Sequence, residues 1–592
     1  MPTLEQCFII PFAWLLLTGS ASAQDSAPSA ATSPTAGEQP TQSSTTSNTF
    51  KELRQKISLW FQGGPPPVSL RELGREPIIR LSVNEKLALS GQPQPAPMAP
   101  AGLSILQAVQ ITIDINPILR IQEQQLLISR GALMAQRSIF DTNVGSRFTT
   151  GRNDTPLPKA NAILARKSGI DTETTNSNTV TTNISGSKLF HSGISITPTV
   201  QLNRSTDNLL NQTGQNNSQV AVDVRLPLLR GHGRTAVAAG EIAAGFEVDA
   251  TALDLSQTAS QLIANTASIY WQYLGTVQSV EIYRNSETRG RELLGALETL
   301  VNADIVERSQ LPIAVANLAS RSSSRLQAEQ NMVTIRQALA IAMGIGPDQI
   351  NDIPPPIDPY PSGSAQSLLP MTPEALRGYI QTALACRADY LAAKRRTREV
   401  EALVVGSKNQ IKPQVDFVLR AGYTGLQETT RFDKYLSSIF QNLGPNVSGS
   451  IEYRFPLENR AAKGQLIQIQ GKLQQSQLRI NDIARSVASN VVTATTGLNN
   501  SVLQLQQAEQ AAQSFLTALN NERERLRLGA GSVLNILQTE DRYINAALNE
   551  ISTRVQYAVA IVNFRLATGT YLIPDQPVQA VDRTAFYVPL TF

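Results

Sequence analysis

The sequence predicts a mixed helix-and-strand (α+β) membrane protein: a β-barrel closed by strands from several chains, continued by a long α-helical tube and built from two structural repeats. Three observations predict it. Stretches of about ten residues alternate between apolar and polar side chains, as strands with two unlike faces do. Two helical patterns, roughly 233 to 301 and 461 to 528, run unbroken; at 1.5 Å per residue each is about 100 Å long, more than a compact core needs. The whole arrangement recurs at matching spacings in the two halves of the chain.

The order begins at the amino terminus. An apolar run over residues 8–17 leads into Ala21, Ser22 and Ala23, the pattern of a secretory signal with an A-x-A cleavage site. Glu5 stands where a basic residue is usual. Residues 1–23 are expected to be a signal peptide. Cys7 lies inside it, leaving Cys386 alone in the mature chain. One thiol makes neither an intramolecular disulfide nor a zinc site. Residues 24–100 are expected to be a disordered, Pro-rich extension: 24–49 are Ser/Thr/Ala/Pro/Gln-rich and too poor in apolar residues to offset the entropy of ordering, and 50–100 mix a short helical piece with Pro-rich turns. No apolar run beyond residue 23 reaches the roughly 18 residues of a transmembrane helix. Entry into a membrane therefore requires a closed barrel. With 51 Lys and Arg against 47 Asp and Glu and no basic stripe, nothing points to a nucleic-acid partner.

The repeat is read from landmarks. A helical pattern breaks and restarts at Asn116-Pro117, and another does so around Arg387-Ala388-Asp389. Strands follow, then a strand-to-helix exit, a long helix, and a helix ending at Gly344 or Gly569. Arg225 to Ala303 spans 78 residues and Arg454 to Gly529 spans 75; Ala303 to Gly344 spans 41 and Gly529 to Gly569 spans 40. Only the strand regions differ, 108 residues from Pro117 to Arg225 against 66 from Ala388 to Arg454, so the first half carries 42 more. The expected organisation is a first repeat over 101–345, a linker over 346–371, a second repeat over 372–572 and a tail over 573–592. The shorter helices, about 118–140 and 304–343, then 389–410 and 533–568, would stack end to end beside the long ones.

The second long helix carries two seams. Leu466, Ile469, Leu473, Ile480, Ile483 and Val487 make one; Val491, Leu498, Leu505, Ala512, Leu519 and Leu526 make the other. Offset seams mean neighbours on both flanks. Such a helix alone reads as a coiled coil, but the strands decide otherwise. Val415, Phe417, Leu419, Ala421 and Tyr423 share one face, as do Val447, Gly449, Ile451 and Tyr453, with Ser448, Ser450 and Glu452 opposite. Val220, Val222, Val224 and Leu226 repeat the pattern. Too few strands remain for a second sheet, and two per half cannot close a barrel. "RLPLLRGHGR" and "RFPLENRAAKG" then mark the exits from strand to helix. Pro227 and Pro456 lack the N–H a ladder needs, and Gly231 and Gly233 allow the turn. A phosphate loop is not expected from one pair of glycines.

With these motifs in place, the chain resembles the TolC-like outer membrane efflux proteins. "AVQITIDINPIL", "VRLPLLRGHGR", "YRFPLENRAAKG", "LRLGAGSVLNILQTE" and "FRLATGTYL" carry the resemblance across residues 103 to 345 and 372 to 572. It implies a homotrimer whose barrel lies in outer-membrane lipid and whose helical tube crosses the periplasm. It also implies an inner-membrane pump joined through a periplasmic adaptor (membrane fusion) protein, with the duct passing small molecules or proteins passively in efflux or type I secretion. The helix turns holding Ala303, Asp304, Leu528, Gly529 and Ser532 would meet the adaptor. Family members often narrow the entrance with Asp; the matching positions here are Asn535, Gln538 and Ser309, all neutral. The 42 extra residues, with "NISGSKLF" and "SGISITPTVQL" around His191, imply either more than four strands per chain or an external loop.

An enzyme is not expected. Only His191 and His232 are present, no Cys/His pair or nucleophile motif accompanies them, and no cofactor or metal is called for. Most of the acidic residues are scattered on helices beside Arg or Lys and read as those of solvated faces. The alternatives to an exit duct are a pump-independent porin-like channel and a secreted or periplasmic coiled coil or adhesin.

Overall fold

Helices start and stop where the chain supplies caps. Ser104 and Gln107 close a capping box at the first helix. Asn116 ends that helix and starts the next, its side chain accepting from the Ile118 N–H while Pro117 takes the first helical position, where a missing donor costs nothing. The computed structural model describes residues 102–592 apart from 168, 210–211, 303–306, 364–367, 528–531, 573–581 and 590–592. All of these lie in one compact unit, Pro77–Phe592. The expected signal peptide and the extension over 24–100 lie outside the described residues.

The elements run α1 (Ile105–Ile115), α2 (Pro117–Arg137), β1 (Asn143–Pro156), α3 (Lys159–Lys167), β2 (Thr174–Leu189), β3 (Ser195–Asp207) and β4 (Gln215–Pro227). A short turn α4 (Arg234–Val237) leads to α5 (Ala239–Asn302) and α6 (Leu311–Met343). The second half has α7 (Pro373–Cys386), α8 (Ala388–Gln410), β5 (Gln414–Glu428), β6 (Gly444–Arg454), α9 (Arg460–Arg527) and α10 (Val533–Thr568). The long helices α5 and α9 have 64 and 68 residues. No described helix is long and apolar enough to cross a membrane.

The short helices abut in pairs beside the long ones. α2 and α6 both pack on α5, and α8 and α10 each contact both α5 and α9. The joints repeat. Gly344 ends α6 at φ 81° and Gly569 ends α10 at φ 70°, left-handed conformations that glycine adopts without strain. A Cβ at Gly344 would stand 2.7 Å from Asn116 Cα, and one at Gly569 would stand 2.9 Å from the Arg387 backbone nitrogen. Asn116 then donates to Ala342 O, and Arg387 to Ala567 O. Each joint therefore ties a helix break to the carbonyl two residues before a terminal glycine.

The second seam of α9 is buried as far as Leu519, at Val491, Leu498, Leu505, Ala512 and Leu519, while the first is buried only at Ile469 and Val487 and half-buried elsewhere. The largest core gathers Tyr270 and Trp271 of α5 with α1, α10 and the turn at Phe586. Asp358 holds the linker to it: it accepts from Ile105 N–H at 2.6 Å, Tyr270 OH at 2.8 Å and Arg583 Nη2 at 3.0 Å. Three donors satisfy a carboxylate that burial would otherwise penalise.

Between α5 and α8, Arg396 bonds Glu247 and Asp254. Next to them, burial and then the charge and hydrogen bond of Glu247 push the Glu399 carboxyl up to about 7, against the pull of Arg396 and Lys472. The folded state thus holds this proton more tightly than the unfolded chain. Its stabilising contribution is fully present below about 4.5, the ordinary value, and is lost as pH rises through about 7. Replacing Glu399 with Gln is expected to remove this dependence. The check is the melting temperature of wild type minus that of Glu399→Gln, which should fall between about pH 5 and about pH 8; a difference that does not change with pH counts against the pairing.

The strands form one antiparallel sheet in the order β1-β2-β3-β4-β5-β6. The first repeat supplies four strands and the second two, so beyond the two per half read from alternation the alternative of more than four strands per chain holds. The 42 extra residues add strands to this sheet. The β2–β3 hairpin turns at Phe190–Ile194, where Phe190 N–H donates to Ile194 O at 2.8 Å, at the end from which the helices leave. It is therefore not an external loop.

Candidate membrane sheet and helical entrance

Register decides which side chains share a face. Val220 pairs with Val200 and Tyr423, Val224 with Ile196 and Leu419, and Leu226 with Phe417. Phe417 pairs with Ile451, and Leu419 with Gly449. Directly opposed residues point the same way, so these make one apolar face. The other face carries Thr181, Asn183, Thr199, Gln201, Asn203, Gln219, Thr424, Ser448 and Ser450. On β5 the apolar band runs from Val415 to Tyr423, matching the roughly 9–11 residues a tilted membrane strand needs.

Charges on the polar face are paired across strands. Arg225 Nη1 lies 2.7 Å from both Asp416 and Glu452 carboxylate oxygens. Arg420 Nη2 lies 2.7 Å from Asp223 Oδ2. These contacts bind β4, β5 and β6 together on the side away from the apolar band.

The exits differ from each other in detail. Pro227 pairs with Asp416 in the last row of β4, and the ladder runs one bond further, Leu228 N–H donating to Val415 O at 2.7 Å. Pro227 is thus placed where its missing donor faces past the end of β3. Gly231 has φ 81° and Gly233 φ 93°, and Gly231 N–H donates to Asn409 Oδ1 at 2.7 Å. Pro456 is exposed and lies beyond β6, which ends at Arg454. Both histidines are structural here: His191 stacks on Phe140 with ring centroids 4.0 Å apart and meets Glu241, and His232 Nδ1 lies 3.1 Å from Pro227 O.

At the other end of the long helices, Ala303, Asp304, Leu528 and Gly529 lie outside the described residues. Ser532 is exposed, one residue before α10. Ser309 is exposed in a helical turn before α6 and donates to Glu307 Oε2 at 3.0 Å. Asn535 and Gln538 are exposed, three residues apart on α10, and so lie on one side of it. Leu297, Ala314, Val533 and Leu537 form one cluster, which brings the first turns of α6 and α10 together.

Behind these turns is a feature the sequence reading missed. Val533, Leu537, Glu540, Ile544, Ala547 and Ile551 fall on one 3-4 spaced stripe of α10, and all are buried. Glu540 is 1% exposed. It meets Arg289 of α5 at 2.7 Å and Arg321 of α6 at 2.9 Å, with Arg523 of α9 at 4.0 Å. Next to it Glu287 takes Arg291 at 2.6 Å and Arg325 at 2.7 Å. Burial opposes ionisation of Glu287, but hydrogen bonds from Ser322 and Arg325 and the arginine charges outweigh it and hold its carboxyl below the usual range. The only available signal was a carboxylate at a seam position of α10.

No protein-family model matches the chain, and no curated protein does. Solved structures match in fold. The CmeC outer membrane channel of Campylobacter jejuni superimposes with a TM-score of 0.57 at 13% identity, over 81% of this chain and 90% of that one. The outer membrane protein VceC of Vibrio cholerae gives 0.55 at 16% identity, over 78% and 96%. The open-state MtrE outer membrane channel of Neisseria gonorrhoeae gives 0.53 at 13%, over 80% and 90%. At these identities the likeness is one of fold, and it extends over most of this chain.

Proposed function

We propose, from the TolC-like outer-membrane channel fold this chain shares, that it is the passive exit duct of an efflux or type I secretion system. The observation that carries this reading is the two-sided sheet. It is open at both edges, β1 and β6, apolar on one face and polar on the other. Three copies pairing β6 of one with β1 of the next make a barrel of eighteen strands from three sheets of six, a size that leaves an aqueous channel. The polar face lines that channel and the apolar face meets outer-membrane lipid. The long helices continue the duct through the periplasm, and the turns at 302–306 and 528–532 meet an adaptor that links it to an inner-membrane pump. A secreted coiled coil has no use for the apolar sheet face, and a pump-independent porin has none for helices of this length.

Asn535, Gln538 and Ser309 form the neutral entrance. A carboxylate ring in a constriction concentrates field and attracts cations; amides lose most of that attraction. In planar bilayers the purified trimer is expected to conduct with weak cation preference and little block by multivalent cations. Asn535→Asp with Gln538→Asp is expected to gain both. A protein that forms no pore overturns the duct. Strong cation selectivity in the wild type moves the constriction to other carboxylates, Glu307 first.

A further inference from the structure

The chain between β5 and β6 does not extend away from the sheet. It folds back on one face through two helical turns, Phe432–Lys434 and Leu436–Phe440. Tyr435 is buried, and its hydroxyl lies 3.1 Å from Thr182 Oγ1 and 2.9 Å from Leu202 O. Ser218 Oγ donates to Ser438 O at 2.8 Å. A Cβ at Gly425 would stand 2.1 Å from Ser438 O, so glycine is what allows this approach. Thr182, Leu202, Ser218 and Gly425 occupy one side of the sheet, the side of Leu419 and Val224. The segment therefore covers the apolar face, just past the Val415–Tyr423 band and at the end away from the helices.

We infer that this segment is a lipid-seated collar, inserted at the headgroup level of the outer leaflet around the barrel; the inference rests on the proposed membrane role of the sheet. Its anchors point into the sheet, while Leu436 and Phe440 point out, 65% and 63% exposed, and Phe432, stacked on Tyr435 with ring centroids 5.6 Å apart, leaves 57% of its surface exposed. Such exposure in water is unfavourable, and rings with apolar neighbours favour the membrane interface. The collar lies over β2 to β5, away from the edges through which copies would pair, so a second copy does not cover it. The occupant it fits is the lipid already in contact with the apolar band.

The test places tryptophan at Leu436, and separately at Phe440, in full-length protein reconstituted in phosphatidylcholine vesicles, with wild-type emission subtracted. Leu419→Trp, at the middle of the band, is the reference. Lipids brominated near the headgroup should quench positions 436 and 440 more than lipids brominated deep in the chain, and Leu419→Trp should show the reverse order. If Leu419→Trp is quenched by bromolipid and the collar probes are quenched only by aqueous acrylamide, the collar is overturned and the barrel stands. Collar probes shielded from both bromolipid and acrylamide are covered by protein, which also overturns it. If no probe is quenched by bromolipid, the membrane reading of the sheet falls as well.

Discussion

Replacing Glu540 with Leu is expected to lower the stability of the helical end by about 3–5 kcal/mol, the usual cost of removing one partner from a buried ion pair. The carboxylate is what keeps Arg289 and Arg321 neutralised where α5, α6 and α10 meet. Without it, the largely buried Arg289 loses its counter-charge and the buried Arg321 keeps only the exposed Asp541 carboxylate at 3.9 Å, in a site water reaches poorly. Adding Arg321→Met to Glu540→Leu is expected to return part of the loss, since a neutral pair of similar volume packs where an unpaired cation cannot. The exposed pair Arg485–Asp482, with contact at 3.0 Å, is the control: Arg485→Leu should cost under about 1 kcal/mol. Denaturant midpoints of the purified protein give all three values. A Glu540 variant no worse than the Arg485 variant would mean that the cluster is solvated.

The second large effect is expected in the sheet. Leu419→Lys puts an ammonium at the middle of the apolar band, beside Val224 and Gly449. At a bilayer midplane this costs about 2–4 kcal/mol, multiplied over every copy in the barrel. Ser450→Lys, on the opposite face of β6, should be tolerated because it meets water. The readout is the fraction of heat-modifiable oligomer recovered in outer-membrane fractions. Equal damage from the two substitutions would mean that neither face of the sheet meets lipid.

Much of this fold was legible because it is periodic. Seam positions such as Leu498 and Leu505 recur every seven residues, and strand faces such as Val220-Val222-Val224 every two, so burial can be read from spacing alone. The joints were legible too, since Asn116-Pro117, Gly344 and Gly569 are residues whose backbone preferences end helices. The number of strands was not. β1 and β2 are rich in Thr, Ser and Asn, and their apolar positions, such as Val144, Phe148 and Ile184, are too widely spaced to give a clear alternation. The 42-residue excess placed an extra hairpin around His191 but left open whether it added strands to the sheet or formed an external loop. Glu540 was not singled out from the other acidic residues, because composition says nothing about which seam a carboxylate occupies. The folded-back segment escaped as well: Tyr435 and Ser438 make contacts across more than 200 residues of sequence, and local pattern does not report such pairing.

The pairing of charges on the polar face of the sheet has a further meaning. That face carries Arg147, Arg225, Arg420 and Arg454 against Asp207, Asp223, Asp416, Glu428 and Glu452, so the two signs nearly balance and several cancel by contact. Within a Debye length of about 8 Å in physiological salt, a wall of this composition presents hydroxyls and amides with almost no standing potential. In the duct proposed above, such a wall would sort by calibre. On that proposal the cross-section of a solute, and not its valence, would set how readily it passes, and selection of cargo would fall to whatever loads the other end.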